Sequence, residues 1–160
     1  MDLSEIPEEV RHLNLNESSI TDEELGLICR RIKRIDMLDL HATSITNEGI
    51  KQLLKLESLK ELRLKGNTGI DDGCMPYINQ LEHLVFLHLR YTAVTVKGLQ
   101  QISDLHKLET VLMTDDLSEE EIDELMKDIT RALPDCTFCV NQKTWYPLQP
   151  WERIDMNQDF

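Results

Sequence analysis

Residues 84–105 read LVFLHLRYTAVTVKGLQQISDL, and a near copy of this stretch lies 49 residues upstream. Its apolar positions are Leu84, Leu87, Leu89, Val94, Leu99, Ile102 and Leu105; 49 residues earlier stand Ile35, Leu38, Leu40, Ile45, Ile50, Leu53 and Leu56. Half that shift finds a third copy in Leu59, Leu62, Leu64, Ile70, Cys74, Tyr77 and Leu81, and a fourth begins Val10, Leu13, Leu15, Ile20, Leu25, Ile28. The units start at 10, 35, 59, 84 and 108, in steps of 25, 24, 25 and 24 residues. Self-similarity at a fixed period of this size is the mark of stacked repeats.

Each unit opens with L-x-x-L-x-L, an apolar–polar alternation that predicts a short half-buried strand. Its second half spaces apolar residues three and four apart, as in Ile50, Leu53 and Leu54, which is the period of one helical face. Between the two comes a turn carrying Thr43, Asn67 or Thr92, whose short polar side chains can satisfy loop backbone groups. The helices are expected to open after Thr21, Thr46, Asp71 and Thr95, all of favoured capping type. A strand, a turn and a short helix cannot bury their own apolar stripe, so the units must stack into one continuous core.

These residues resemble the leucine-rich repeat family, with its L-x-x-L-x-L-x-x-N/C/T-x-I-T-D-x-G-L-x-x-L pattern. MLDLHATSITNEGIKQLLKL and FLHLRYTAVTVKGLQQISDL follow it almost residue by residue. The subtype is similar to the short cytoplasmic repeats of bacterial proteins and ubiquitin-ligase adaptors. The resemblance covers residues 10–140 and implies an α/β right-handed solenoid, with a parallel concave sheet, short helices on the convex side, and a role in binding proteins. Residues 1–140 are then the solenoid, with Leu3 and Ile6 available to cover its open first repeat. No separate adaptor domain is expected.

The solenoid is expected to close with a helix over 118–133 and a strand over 137–140. Ser118 and Glu121 form a capping box, Glu119 to Glu121 suit the positive end of the helix dipole, and Pro134 stops the helix. Ile122, Leu125, Met126, Ile129 and Leu133 share its apolar face. ALPDCTFCV is similar to the C-terminal closure of bacterial leucine-rich repeat proteins. Residues 141–160 break the pattern and hold Trp145, Tyr146, Trp151 and Phe160, four of the eight aromatic residues. Pro147 and Pro150 argue against an ordinary helix or central strand there. This tail is expected to fold back on the last repeat or its convex side, with partner docking or self-association as the other readings.

The net charge of −13 argues against nonspecific binding to nucleic acid or anionic membrane, and no apolar run approaches the ~20 residues of a membrane span. The acidic start MDLSEIPEEV fits neither a secretory signal nor an Arg-rich transit peptide. Cys74 falls in a core column with Leu25, Ile50 and Leu99, and Cys29 lies on the first helix. Cys136 and Cys139 form a C-x-x-C with no second pair and no His-x-x-x-His, following a helix where a redox pair would precede one. All four are read as structural thiols, and the chain as cytoplasmic. Arg30, Arg31, Lys33 and Arg34 are read as a solvated helix end.

Nothing in the chain assembles a catalytic centre. KGNTGIDDG lacks the Lys-Ser/Thr of a phosphate loop and the ligand spacing of a calcium loop, and G-x-S-x-G and H-E-x-x-H are missing. The expectation is a non-enzymatic monomer with no cofactor and no metal.

Alternation along the strands places four ladders of side chains on the outward sheet face, with rungs about 4.8 Å apart. They are His12, Met37, Glu61, Phe86, Thr110; Asn14, Asp39, Arg63, His88, Leu112; Asn16, His41, Lys65, Arg90, Thr114; and Glu17, Ala42, Gly66, Tyr91, Asp115. These twenty positions carry only one unit of the net negative charge, so the remainder lies elsewhere. His41, Arg63, Lys65, Phe86, His88, Arg90 and Tyr91 cluster at the centre, and exposed arginine and aromatic residues dominate binding hot spots. The expected site therefore binds an acidic segment of a protein partner, with Arg63 and Arg90 on its carboxylates and Phe86 and Tyr91 as anchors. Against this stands the reading that Asp39, Glu61 and Arg63 merely satisfy one another. A dedicated inhibitor or immunity-type protein that neutralises a toxin or enzyme is the alternative function.

Overall fold

The computed structural model describes residues 6–149. Within them the chain folds as α/β, with a seven-stranded sheet in the order β1-β2-β3-β4-β5-β6-β7. The strands are β1 (His12–Asn14), β2 (Met37–Asp39), β3 (Glu61–Arg63), β4 (Phe86–His88), β5 (Thr110–Met113), β6 (Thr137–Val140) and β7 (Lys143–Trp145). Every pair is parallel except the last. Short helices lie between them: α1 (Asp22–Arg31), α2 (Asn47–Gln52), α3 (Met75–Ile78), α4 (Val96–Leu99) and the longer α5 (Glu119–Ala132).

The register follows the sequence period. Leu13, Leu38, Leu62, Leu87, Val111 and Phe138 are direct partners across six strands, and from Leu38 onward all are at most 1% exposed. Their neighbours at His12, Met37, Glu61, Phe86 and Thr110, and at Asn14, Asp39, Arg63, His88 and Leu112, also pair rung by rung, as the first two ladders require. Leu25, Ile28, Ile50, Leu53, Cys74, Leu99 and Ile102 join the strand leucines in a single buried cluster. The helices thus cover one sheet face and leave the other open. A one-residue slip would send every strand leucine to the open face, so burial locks the register.

A second set of bonds ties neighbouring units together at the helix starts. Thr46, the N-cap of α2, gives its backbone N–H to Asp22 Oδ1 at 2.9 Å and its hydroxyl to Oδ2 at 2.6 Å. Asn47 and Asp71 exchange a bond in each direction, and Thr95 binds Asp72 as Thr46 binds Asp22. Each residue following one cap therefore holds the next cap, 23 to 24 positions on. Val96 breaks the series because it is apolar; its own N–H is accepted by Asp115 at 2.6 Å. This contact explains the glycine column: a methyl group at Gly49 would collide with Asp22 Oδ1, and one at Gly98 with Asp72 Oδ1. Asn67 is buried and stitches another turn, donating to the carbonyls of Leu40 and Leu64 and accepting from Thr43 N–H.

The corners after β1 to β4 pass through the left-handed region at Glu17, Ala42, Gly66 and Tyr91, and Asn141 does so after β6; the corner after β5 does not. Only one of the five is glycine. A non-glycine residue there costs about 1–2 kcal/mol, and its recurrence 24 or 25 residues apart after the first four strands marks it as a demand of the architecture.

The helix α5 opens on the capping box read in the sequence. Ser118 accepts from Glu121 N–H while the Glu121 carboxylate accepts from Ser118 N–H, and Leu133 ends the helix before Pro134. The described part of the tail turns back on the last parallel strand and adds a strand that the sequence reading did not place. Residues 143–145 pair antiparallel with β6, so the sheet continues past residue 140. Trp145 packs against the core, Leu148 N–H reaches the carbonyl of Pro134, and Tyr146 stays exposed. Trp151 and Phe160 lie outside the described residues, as does Leu3; Ile6 is in the core.

Two outcomes test this fold. Gly98→Ala should lower stability by about 1–3 kcal/mol through the collision with Asp72, whereas Gly26→Ala, inside α1 and facing only the flexible end of Gln52, should leave it equal or higher; urea unfolding measures both. Ala42→Gly should gain roughly 0.5–1 kcal/mol by removing left-handed strain, read in the same assay.

Candidate functional site

All seven candidate residues stand on the open face at β2–β4 and the turns after them. Alternate residues of a strand share a face, so Phe86 and His88 on β4 and the neighbouring Arg90 face the same way, as do Arg63 and Lys65 on the β3 side. Arg63 is the direct partner of Asp39 on one side and of His88 on the other. The hydrogen bonds from Ala42 N to the Lys65 carbonyl and from Gly66 N to the Arg90 carbonyl carry the same register one step beyond the strands, setting His41, Lys65 and Arg90 in line.

Arg63 is already engaged. Its guanidinium lies 4.0 Å from Asp39 and 3.4 Å from Glu61, and 5.8 Å from the centre of the Phe86 ring. The pairing of Asp39, Glu61 and Arg63 weighed against the binding site is thus present within it. At 41% side-chain exposure such pairs contribute little to stability, so they orient Arg63 without neutralising it fully. Phe86 meets His88 edge-on, with ring centres 6.3 Å apart at 74°.

Arg90 reaches across β5 to β6, where its terminal nitrogen lies 3.3 Å from Cys139 Sγ and 3.4 Å from the Asn141 carbonyl. Cys139 and Asn141 are the members of the site that the sequence reading missed. Counting does not find Asn141: it follows β6 directly, one position short of the place that Tyr91 holds after β4, although it shares the left-handed conformation. Asn141 also exchanges bonds with the backbone of Asp115. Lys65 places its ammonium 5.7 Å from the centre of the Tyr91 ring. Tyr91 is 61% exposed and its backbone N–H is held by Thr114 Oγ1. His41 N–H is accepted by Asp39 Oδ1.

The electrostatics converge on His88. Burial pushes its pKa down to about 4, helped by the positive fields of Arg90, Lys65, Arg63 and His41. Among the described residues, the buried side-chain nitrogens that find no protein partner are Arg63 Nε, His88 Nε2 and Arg90 Nε. All three belong to this patch. An unpartnered buried polar group costs about 1–3 kcal/mol, so an acceptor supplied from outside the chain has more to gain here than elsewhere on the described surface.

The cysteines carry no comparable chemistry. Burial pushes Cys29, Cys74 and Cys136 up to about 12, which keeps them as thiols. Cys139 is only half-buried, on the open face beside Arg90, unlike the buried thiol expected of it. No group of three or more metal-ligating side chains occurs among the described residues, and none of their helices is long and apolar enough to cross a membrane.

Comparison with protein-family models and with curated proteins finds no match to this chain.

The depressed pKa of His88 has a consequence for stability. Between pH 6.5 and about 4 the unfolded chain binds a proton at this histidine that the folded chain does not, so folding weakens as pH falls through that window. Urea unfolding at pH 7 and pH 5 should show a smaller loss for His88→Gln than for the wild type.

Proposed function

We propose that the chain is a leucine-rich repeat solenoid that works as a non-enzymatic protein-binding module of the cytoplasm, using the open, concave sheet face to take an acidic segment of a protein partner. Support for the family comes from the motif, from the 24- and 25-residue spacing of strand partners, and from cap contacts 23 and 24 residues apart. The observation that carries the binding reading is the gathering of Arg63, Lys65, His88 and Arg90 beside Phe86 and Tyr91 on a face that no helix covers, with three of its buried nitrogens unpartnered.

Chemistry assigns roles within the patch. Tyr91 offers a large exposed ring with few rotatable bonds, a low-entropy anchor for an apolar side chain of the partner. Arg63 rests on Phe86, and a guanidinium stacked on an aromatic ring remains able to bind a carboxylate in two-point fashion. Lys65 extends the positive field toward Tyr91. The negative charge carried elsewhere on the chain would repel an acidic partner that approached any other face, which favours one docking orientation.

The test is affinity capture from the native cell with the wild-type chain and with Arg63→Glu/Arg90→Glu as baits, followed by mass spectrometry. Partners recovered by the wild type should bear acidic segments, release with salt, and fall at least tenfold on the variant, in keeping with about 2 kcal/mol per hot-spot residue. Equal recovery on both baits would contradict the reading. A single partner that resists high salt and ignores the substitution would instead favour the inhibitor function, acting through the acidic flank.

A further inference from the structure

Four nitrogen-bearing side chains occupy a rectangle on the open face. Arg63 and His88 form one pair across strands and Lys65 and Arg90 the next, with sides of about 4.8 Å between strands and about 6.6 Å along them. Like charges directly opposite one another in a sheet are destabilising, and Lys65 faces Arg90 in this way. The acidic residues nearby are Asp39 and Glu61, and both contact Arg63, on the side of the rectangle away from Arg90. On the β5 side Leu112 is the partner of His88, and Thr114, just past the strand, follows at the level of Arg90; neither carries a charge. From β6 and the residue that follows it, the Cys139 thiol and the Asn141 carbonyl approach Arg90; from β2, His41 adds a further imidazole. The rectangle is therefore a concentration of positive charge with neutral walls on its β5 side.

We infer that Arg63, Lys65, His88 and Arg90 form a carboxylate-binding seat at the centre of this face, and that His88 takes up a proton when an acidic peptide fills it. The inference rests on the protein-binding reading above and adds proton coupling to it. In the free chain His88 is neutral because it is half-buried among cations. A carboxylate placed between the two arginines cancels their field and, once the side chains enclosing His88 shift to admit it, offers an acceptor to His88 Nε2, which has none from the protein. Both effects favour the imidazolium. By linkage, a ligand that raises the pKa of a group binds tighter where that group is protonated. Return of His88 from about 4 to the ordinary 6.5 corresponds to affinity about tenfold higher at pH 5.5 than at pH 7.5. Glutamate side chains remain largely ionised at the lower of these, so the ligand keeps its charge.

The probe is hexaglutamate, with hexaglutamine as control, at constant ionic strength. NMR of the histidine-labelled full chain follows the His88 ring through a pH titration with and without peptide, and chemical-shift titrations at pH 7.5 and 5.5 yield the two affinities. Hexaglutamate is expected to raise the His88 pKa by more than one unit and to bind up to about tenfold tighter at pH 5.5, while hexaglutamine does neither. His88→Gln, checked for cooperative unfolding, should lose the pH dependence. Binding of hexaglutamate with an unmoved His88 titration would overturn the proton coupling while leaving the face a binding surface. No binding of hexaglutamate at either pH would overturn the seat itself. The capture experiment decides the protein-binding reading independently of both results.

Discussion

The parallel pairing of one leucine per strand with its counterpart in the next unit is the constraint on which the rest depends. Leu38, Leu62 and Leu87 can be buried together only in one register, and that register simultaneously stacks Asp39, Arg63 and His88 on the opposite face. The core and the candidate site are thus two sides of one alignment. Burial of each leucine is worth about 1.5–3 kcal/mol, far more than any surface ion pair, so the core dictates which polar residues meet. This is how a cluster of like charges can be held on a sheet: the energy of the apolar side outweighs the repulsion on the polar side.

The inter-unit caps do for the helices what the leucines do for the strands. Asp22 and Asp72 each bind both the N–H and the hydroxyl of a threonine in the following unit, and the glycine three positions into the next helix turn leaves room for them. Helices of four to six residues are too short to persist on their own. Here each is fixed at its first turn by the preceding unit, so strand, turn and helix repeat as one body. The left-handed corner at Ala42, Gly66 and Tyr91 belongs to the same geometry. It also explains why a bulky residue such as Tyr91 sits in a strained conformation at the rim of the site.

Much of this was legible in the sequence because both periods, two in the strands and about 24 along the chain, are carried by large apolar residues. The ladders on the open face follow from counting alone. What escaped was whatever depends on a single polar contact between units. Asp22 drew no notice and Asp72 was weighed only against a calcium loop, although the Gly49 and Gly98 column held the clue that something presses on those helices. Asp39 and Glu61 were recognised as possible partners of Arg63, but their geometry needs coordinates. The reach of Arg90 to Cys139 and Asn141 crosses a whole strand and has no local signature. The pairing of residues 143–145 with β6 was hidden by the prolines that follow, which forbid a strand only from Pro147 onward.

The central claim is that the open face at β2–β4 meets the partner. Carbene footprinting of the full chain, free and bound to its captured partner, tests it most directly, because it labels exposed side chains of every type. The account predicts masking on binding at Lys65, Phe86 and Tyr91, with α5 labelled as in the free chain. Masking confined to α5 or to β7, with Tyr91 still fully labelled, would contradict it.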